Sequence, residues 1–434
     1  MLSQSPLPPW RAAETLSEIL RHPSPAQAVA QRFAEMEALI PALLTLNAQQ
    51  ARHAGRNDLV GALAALLDHM APETYQMPIT SKAPGVAVAP SSAQIAFVSP
   101  SPEIETIPLA ALRNLGHRVS IGAEAAQHAD IVILHQPQAD PAATQSVLEA
   151  GRPILLYLDA DYARMPSRHP GYARLGLNTP ERITAYTAAL THASVVGVAG
   201  RTLGNRLREA GHIVEVLWPA WQCNNPLWTR PAPRRSALYL GWFAACGDVD
   251  ALLALKRVLA RLTRELPDVV MVVVGEPAAF QELSRALPQH RRLLLPPVTA
   301  AERPHTLSHL DVLLLPHHDN AFNRALSDQF LMEAGVRRVP WVASPLPAVE
   351  EWHAGGLIAH DADEWYAHLR RLCLEPAMRA KLGEAGWQLA QQREAAQLVA
   401  NWQRLIQNML SQSEPLPALR AGISTTEFAQ PSSS

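Results

Sequence analysis

A chain of 434 residues is too long for one ordinary domain and points to two or three. Its 48% hydrophobic content can fill sizeable cores, and a net charge of −2 from 37 basic and 39 acidic residues gives no electrostatic reason to expect nucleic acid as a partner. Three cysteines, Cys223, Cys246 and Cys373, stand far apart with no CxxC pair, so neither a zinc site nor a disulfide framework follows. The start, MLSQSPLPPW, lacks a basic region and an apolar segment, and no run approaches the roughly 20 apolar residues that span a bilayer. The expectation is a cytoplasmic protein, with peripheral attachment at the inner membrane surface as the variant.

Residues 1–75 read as helices only. Leu16, Ile19 and Leu20 share one face, as do Phe33, Met36, Leu39 and Ile40. Two further short helices flank Ala54-Gly55-Arg56-Asn57-Asp58, where glycine closes one helix and Asn57 or Asp58 caps the next. The pair resembles one tetratricopeptide-like hairpin without a second copy, and a helical cap on the following domain is the plainer reading. These helices are the expected surface for a protein partner. Residues 76–93, rich in Pro, Ser and Ala, read as a linker.

From residue 94 the texture changes to strand-sized apolar runs alternating with amphipathic helices. QIAFVS, HRVSI, DIVIL, PILLYL and SVVGVA fill 94–218, with PLAALRNLG and RTLGNRLREAG between them. Such alternation predicts βαβ units and a parallel sheet covered on both faces. Residues 219–235, with four prolines and two tryptophans, predict a hinge. The alternation then restarts over 236–395: ALYLGWF, a long helix over 248–265, DVVMVVVG, RRLLLPP, DVLLLPHH, another helix, VPWVAS and GLIAH. A C-terminal helix over 396–411 is expected to return to the first domain, and 412–434 read as a flexible tail. The fold class is α/β: two facing Rossmann-like domains preceded by a small helical region.

Open parallel sheets bind ligands beyond the carboxyl ends of their strands, so the residues after each strand are the candidates. After ALYL come Gly241, Trp242 and Phe243, then the small residues Ala244, Ala245, Cys246 and Gly247 before Asp248 opens a helix. A small-residue loop at a helix start admits a phosphate close to the backbone. Neither GxGxxG nor GxxxxGK[ST] occurs. The denser group follows DVLLLP: His317, His318, Asp319, Asn320, Phe322, Asn323, Arg324, Ser327, Asp328 and Glu333. Asn323 as an N-cap, Ser327 in the first turn and Arg324 nearby suit a diphosphate, and Glu333 suits a ribose, whose two hydroxyls a carboxylate can accept. The alternative is a solvated helix whose Glu333 is surface charge.

The run LPHHDNAFNRALSDQFLMEAGVRRVPWVASPLPAVEEW resembles the donor-binding segment of GT-B retaining-type glycosyltransferases of the group 1 branch. That branch reads FN-x-A-K-S, a helix ending in E-x-G-A, and G-x-P-V-V-A-S. Phe322, Asn323, Ala325, Ser327, Glu333, Pro340, Val342, Ala343 and Ser344 match. The likeness runs over about 236–395, and DIVILHQP with GRPILLYLDADYARMPSRHPGY resembles the family's first domain less specifically. It implies transfer of a sugar from a nucleoside-diphosphate sugar to a glycan, lipid or protein hydroxyl, with no cofactor and no metal required. Donor contacts then fall at Gly241, Phe243, His317, Asp319, Phe322, Asn323, Arg324, Ser327 and Glu333.

Catalysis is expected from the opposite wall at Asp159 and Asp161, which follow strand PILLYL where related enzymes place a His or Asp. Asp161 as the cap of a turn is the structural alternative, and His169 reads as a loop residue. Trp218, Trp221 and Trp228 read as hinge packing rather than sugar stacking. Leu326 stands where the family carries a lysine, Ala325 where it carries a first carboxylate, and Pro219-Ala220 where it reads P-N. These positions support a second reading, a non-catalytic GT-B-like subunit that binds a partner. A sugar-nucleotide epimerase on the same fold is a third.

Overall fold

In the computed structural model, residues 92–100, 107–223, 225–229 and 237–411 are described, all within the unit Val88–Ser434. The expectations for 1–75, for 76–91 of the linker, for 230–236 of the hinge and for 412–434 lie outside the described residues.

The first sheet holds β1 (Gln94–Val98), β2 (Arg118–Ile121), β3 (Ile131–His135), β4 (Ile154–Leu158), β5 (Val195–Val198) and β6 (Val214–Val216). All neighbours are parallel, in the order β2-β1-β3-β4-β5-β6. Every residue of β3 and β4 is buried, which is why their sequences are continuous apolar runs rather than alternating ones. The helices α1 (Leu109–Asn114), α2 (Pro141–Glu149), α3 (Tyr172–Leu175), α4 (Pro180–His192) and α5 (Arg201–Glu209) connect the strands. Asp140 caps α2, accepting the Ala143 N–H at 3.0 Å ahead of a proline in the first turn.

The second sheet begins after a turn of helix, α6 (Pro226–Thr229). It comprises β7 (Leu238–Phe243), β8 (Val269–Val274), β9 (Arg292–Leu295), β10 (Val312–Leu315), β11 (Trp341–Ala343) and β12 (Gly356–Ile358), in the order β12-β11-β10-β7-β8-β9. Its helices are α7 (Val249–Ala254), α8 (Lys256–Glu265), α9 (Pro277–Ser284), α10 (Arg303–Leu307), α11 (Ala321–Arg324), α12 (Gln329–Val336), α13 (Pro347–Glu351), α14 (Ala362–Leu374) and α15 (Pro376–Gln391). The long helix expected over 248–265 is two helices. At Leu255 the chain tightens, its N–H bonding Leu252 at 3.0 Å, and α8 starts afresh.

A final helix, α16 (Ala395–Ser411), lies on the first sheet. Trp402, Leu405, Ile406 and Met409 share a core with Ile95 and Phe97 of β1 and Ile131 and Ile133 of β3. The chain returns along the hinge: Ala395 N–H donates to Trp221 O at 2.8 Å, and the Trp221 indole N–H donates to Ala390 O at 2.7 Å. Trp218 takes the Arg393 guanidinium on its face at 3.9 Å. Both tryptophans are thereby committed to joining the halves.

Candidate functional site

Strand order reverses between β1 and β3 in the first sheet and between β7 and β10 in the second, and ligands bind such sheets at these switch points. The loop after β4, the strand next to the first switch point, touches the loops beyond the second. His169, on the loop after β4, stacks edge-on to Phe322 with ring centroids 5.2 Å apart. A side chain at Gly247 would sit 2.2 Å from His169 Nε2, and Gly247 has φ 92°, so conformation and close approach both require glycine there. Arg168 reaches Asp250 at 3.3 Å. Phe322 and Ala325 are buried in the core of the first domain, with Leu326 packed against it.

On the second-sheet wall, Asp248 organises the post-strand loops. Its carboxylate accepts the backbone N–H groups of Ala251 and His318 at 2.9 and 2.8 Å and the Asn323 side-chain amide at 2.9 Å. Burial alone would raise the Asp248 pKa, but these N–H donors and the neighbouring imidazoles hold it below the usual carboxylate range. Burial pushes His317 and His169 the other way, each down to about 4, against the opposing pull of Asp248. Both rings are therefore neutral at pH 7.

The sequence-predicted donor residues separate into three groups. His317, Asp319, Asn323 and Arg324 gather on the loop after β10 and on α11. Asn320, not Asn323, caps α11, accepting the Asn323 N–H at 2.8 Å; Asn323 instead turns inward to Asp248 and to His318 O. Arg324 lies exposed, held by Asp319 at 2.6 Å. Each raises or lowers the other in the sense of an ion pair: Asp319 sits below its usual pKa and Arg324 above. Ser327 precedes α12 rather than lying in its first turn, opposite the start of α5, with Gly200 pointing toward its Cα.

Gly241 and Phe243 are not loop residues. Gly241 is inside β7, where a side chain would collide with Leu310, and Phe243 is in the core facing Phe330 at 6.2 Å. Glu333 also departs from its expected place. It is 0% exposed, and Arg303 grips both carboxylate oxygens at 2.5 Å while Gln329 donates to Oε1 at 2.9 Å. The Arg303 guanidinium lies over the Phe330 ring at 4.5 Å. In this geometry Glu333 anchors α12 to α10, its two oxygens held by Arg303 and Gln329.

On the first-sheet wall, Asp159 and Asp161 face different surroundings. Asp161 is fully buried and held by Arg206 at 2.7 Å, with Arg164 at 3.9 Å. Burial outweighs both cations, and its pKa is raised. Asp159 keeps 27% of its side chain exposed, takes the Tyr162 hydroxyl on Oδ1 and stands 3.3 Å from His135 Nε2. Burial would raise its pKa, but His135 and the Tyr162 hydrogen bond bring it below the usual value. Residue-type reading missed Ser99, His135, Gln136, Asp248 and Arg303. Four of these were within reach, because Ser99 and Gln136 follow the switch strands β1 and β3, His135 ends β3 and Asp248 follows the loop after β7. Arg303 lies in a helix far from its partner in sequence, and no local signal marks it.

Among the described residues, no group of three or more His, Cys, Asp or Glu is placed to hold a metal ion, and no helix is long and apolar enough to cross a membrane.

The architecture matches solved structures. Anabaena HepE in complex with UDP and glucose superposes with a TM-score of 0.53 at 15% identity, over 74% of this chain and 100% of that one. A glycosyltransferase from Rickettsia africae gives a TM-score of 0.53 at 11% identity, over 74% and 100% of the two chains. Sucrose-phosphate synthase from Thermosynechococcus elongatus gives 0.52 at 12% identity, with the same coverage of 74% and 100%. No family model and no curated protein matches the chain. Two parallel six-stranded sheets, with a final helix returning to the first, form the GT-B fold.

Proposed function

We propose that the chain is a glycosyltransferase, taking a sugar from a nucleoside-diphosphate sugar and delivering it to an acceptor hydroxyl. The observation that carries this reading is the contact of the loop after β4 with the loops beyond the second switch point. The polar loop beyond β7 and β10 lies against the wall that presents Asp159, in a fold whose solved neighbours include proteins holding UDP, glucose and UDP-glucose. The donor diphosphate is assigned to the loop 244–247, His318 and Arg324. Arg324 is free to exchange partners cheaply, because an exposed pair such as Arg324–Asp319 contributes little. Asp159 is the group assigned to the reacting sugar or acceptor, whereas Asp161 is assigned to holding α5 through Arg206.

Two observations favour the alternative of a non-catalytic partner-binding subunit. Phe322, Ala325 and Leu326 pack into the first domain where a donor segment would need to stay open, and Arg303 already occupies Glu333. Thermal shift against nucleoside diphosphates and their sugars tests the transferase reading. Binding confined to the folded state adds about 2.7 kcal/mol at one hundred times Kd, so a clear rise in Tm is expected with at least one nucleotide. Arg324→Ala should weaken the diphosphate more than the matching nucleoside, since only the former carries the charge being paired. Equal losses for both would remove Arg324 from the site.

A further inference from the structure

The short helix α10 and the turn that closes it carry two histidines four residues apart, His305 and His309. A spacing of four sets side chains one above the other on a helix. Arg303, Leu307 and Leu310 of the same segment are buried, whereas the two histidines are half-buried and lie on another face. Their rings meet edge to face, with centroids 4.9 Å apart and planes at 84°. The two Nε2 atoms stand 3.4 Å from each other.

That separation is long for a hydrogen bond between the rings, since N–H donors in proteins approach their acceptors to about 2.7–3.2 Å. It is the separation of two ligands on one ion. Imidazole nitrogens each about 2.0–2.1 Å from a tetrahedral zinc lie about 3.3–3.4 Å from each other. The backbone beneath the rings is fixed. The Ser308 hydroxyl donates to His305 O at 2.6 Å, and the N–H groups of Ser308 and His309 donate to Pro304 O and Thr306 O at 3.2 and 3.0 Å. Arg303, two residues before His305, is neutralised by Glu333, so its charge does not oppose a cation.

We propose that His305 and His309 form a two-histidine site for a divalent ion of the zinc class, an inference independent of the transferase reading. Each ring is neutral, keeps its proton on Nδ1 and gives its Nε2 lone pair to the ion, and water completes the coordination. Any proton on Nε2 leaves to solvent as the ion enters, so acid releases the metal. Imidazole ligands suit zinc, copper and nickel, whereas magnesium and calcium take oxygen. The ion ties His309, beyond the end of α10, back to the helix, and so steadies the segment that holds Arg303 against Glu333.

The test uses the full chain, stripped with a chelator and titrated with Zn²⁺ alone or Mg²⁺ alone. Zn²⁺ should raise the Tm and Mg²⁺ should not. His305→Gln and His309→Gln should each raise the Kd for Zn²⁺ by more than the roughly tenfold that a lost outer-shell partner costs. The double variant should lose little beyond either single one, because the two rings act as a unit. Ring ¹⁵N spectra of the wild type give a second reading that needs no variant to fold. Zn²⁺ should shift Nε2 of these two histidines and leave their Nδ1 atoms protonated. A Tm indifferent to Zn²⁺, an affinity that survives both substitutions, or spectra in which only other histidines respond would each overturn the site.

Discussion

Replacing Arg303 with alanine is expected to lower the free energy of unfolding by about 3–5 kcal/mol. The reason is the burial of its partner. Glu333 is 0% exposed and Arg303 only 8% exposed at the side chain, and the guanidinium meets both carboxylate oxygens. Removing the cation leaves a fully buried carboxylate with Gln329 as its remaining side-chain donor among the described residues. Deleting both charges is a different matter. A buried pair gains little over well-packed apolar residues of similar volume, so Arg303→Met with Glu333→Leu should recover most of the loss. Urea unfolding of the two variants reads this directly. A loss under about 1 kcal/mol in Arg303→Ala, the size seen for exposed pairs, would mean that Glu333 is reached by water and open to a ligand after all.

Acid should weaken the fold as two buried histidines are forced to take up protons. His169 and His317 have native pKa values of about 4, against about 6.5 for an unfolded histidine. Between those values the unfolded chain binds protons that the native rings refuse, so the two histidines lower stability as pH drops from about 6.5 to about 4, and their contribution is constant below that. Each pKa unit is 1.36 kcal/mol, and allowing for partial exposure of both rings the two together account for roughly 2–4 kcal/mol. Because His169 touches Gly247 and Phe322, the contact between the domains is where this weakening is felt. Chemical unfolding at pH 7 and pH 4.5 measures the drop. His169→Gln and His317→Gln should each flatten the profile between those values. A profile already flat in the wild type, or one unchanged in both variants, would contradict the assignment of the two rings as buried and neutral.

Much of the fold was legible because both sheets are parallel and covered on both faces. Such strands must be apolar along their whole length, and DIVIL, PILLYL and DVVMVVV announce themselves without ambiguity. The short β6 escaped notice, since three residues of VEV carry no period to read. The break at Leu255 escaped too, because the apolar spacing of α7 and α8 runs on across it. The site was legible only in outline. The rule that ligands collect beyond strand ends pointed to the loop after β10 and to Asp159, whose roles are proposals. It did not reveal that Gly241 is a packing glycine against Leu310, or that Glu333 and Asp161 are consumed by Arg303 and Arg206. Those pairings span 30 and 45 residues, and a carboxylate at a strand or helix end looks the same in sequence whether a cation is waiting for it or not.

The central claim, that this GT-B chain transfers a sugar from a nucleotide donor, is tested most directly by ³¹P NMR of a panel of nucleoside-diphosphate hexoses incubated with the full chain. The diphosphate resonances of at least one donor should convert to those of free nucleoside diphosphate, and Asp159→Asn should slow the conversion at least about 100-fold while donor binding persists. Donors that bind and raise the Tm yet remain intact through extended incubation, with and without polyol acceptors, would contradict it and identify the chain as a nucleotide-binding subunit instead.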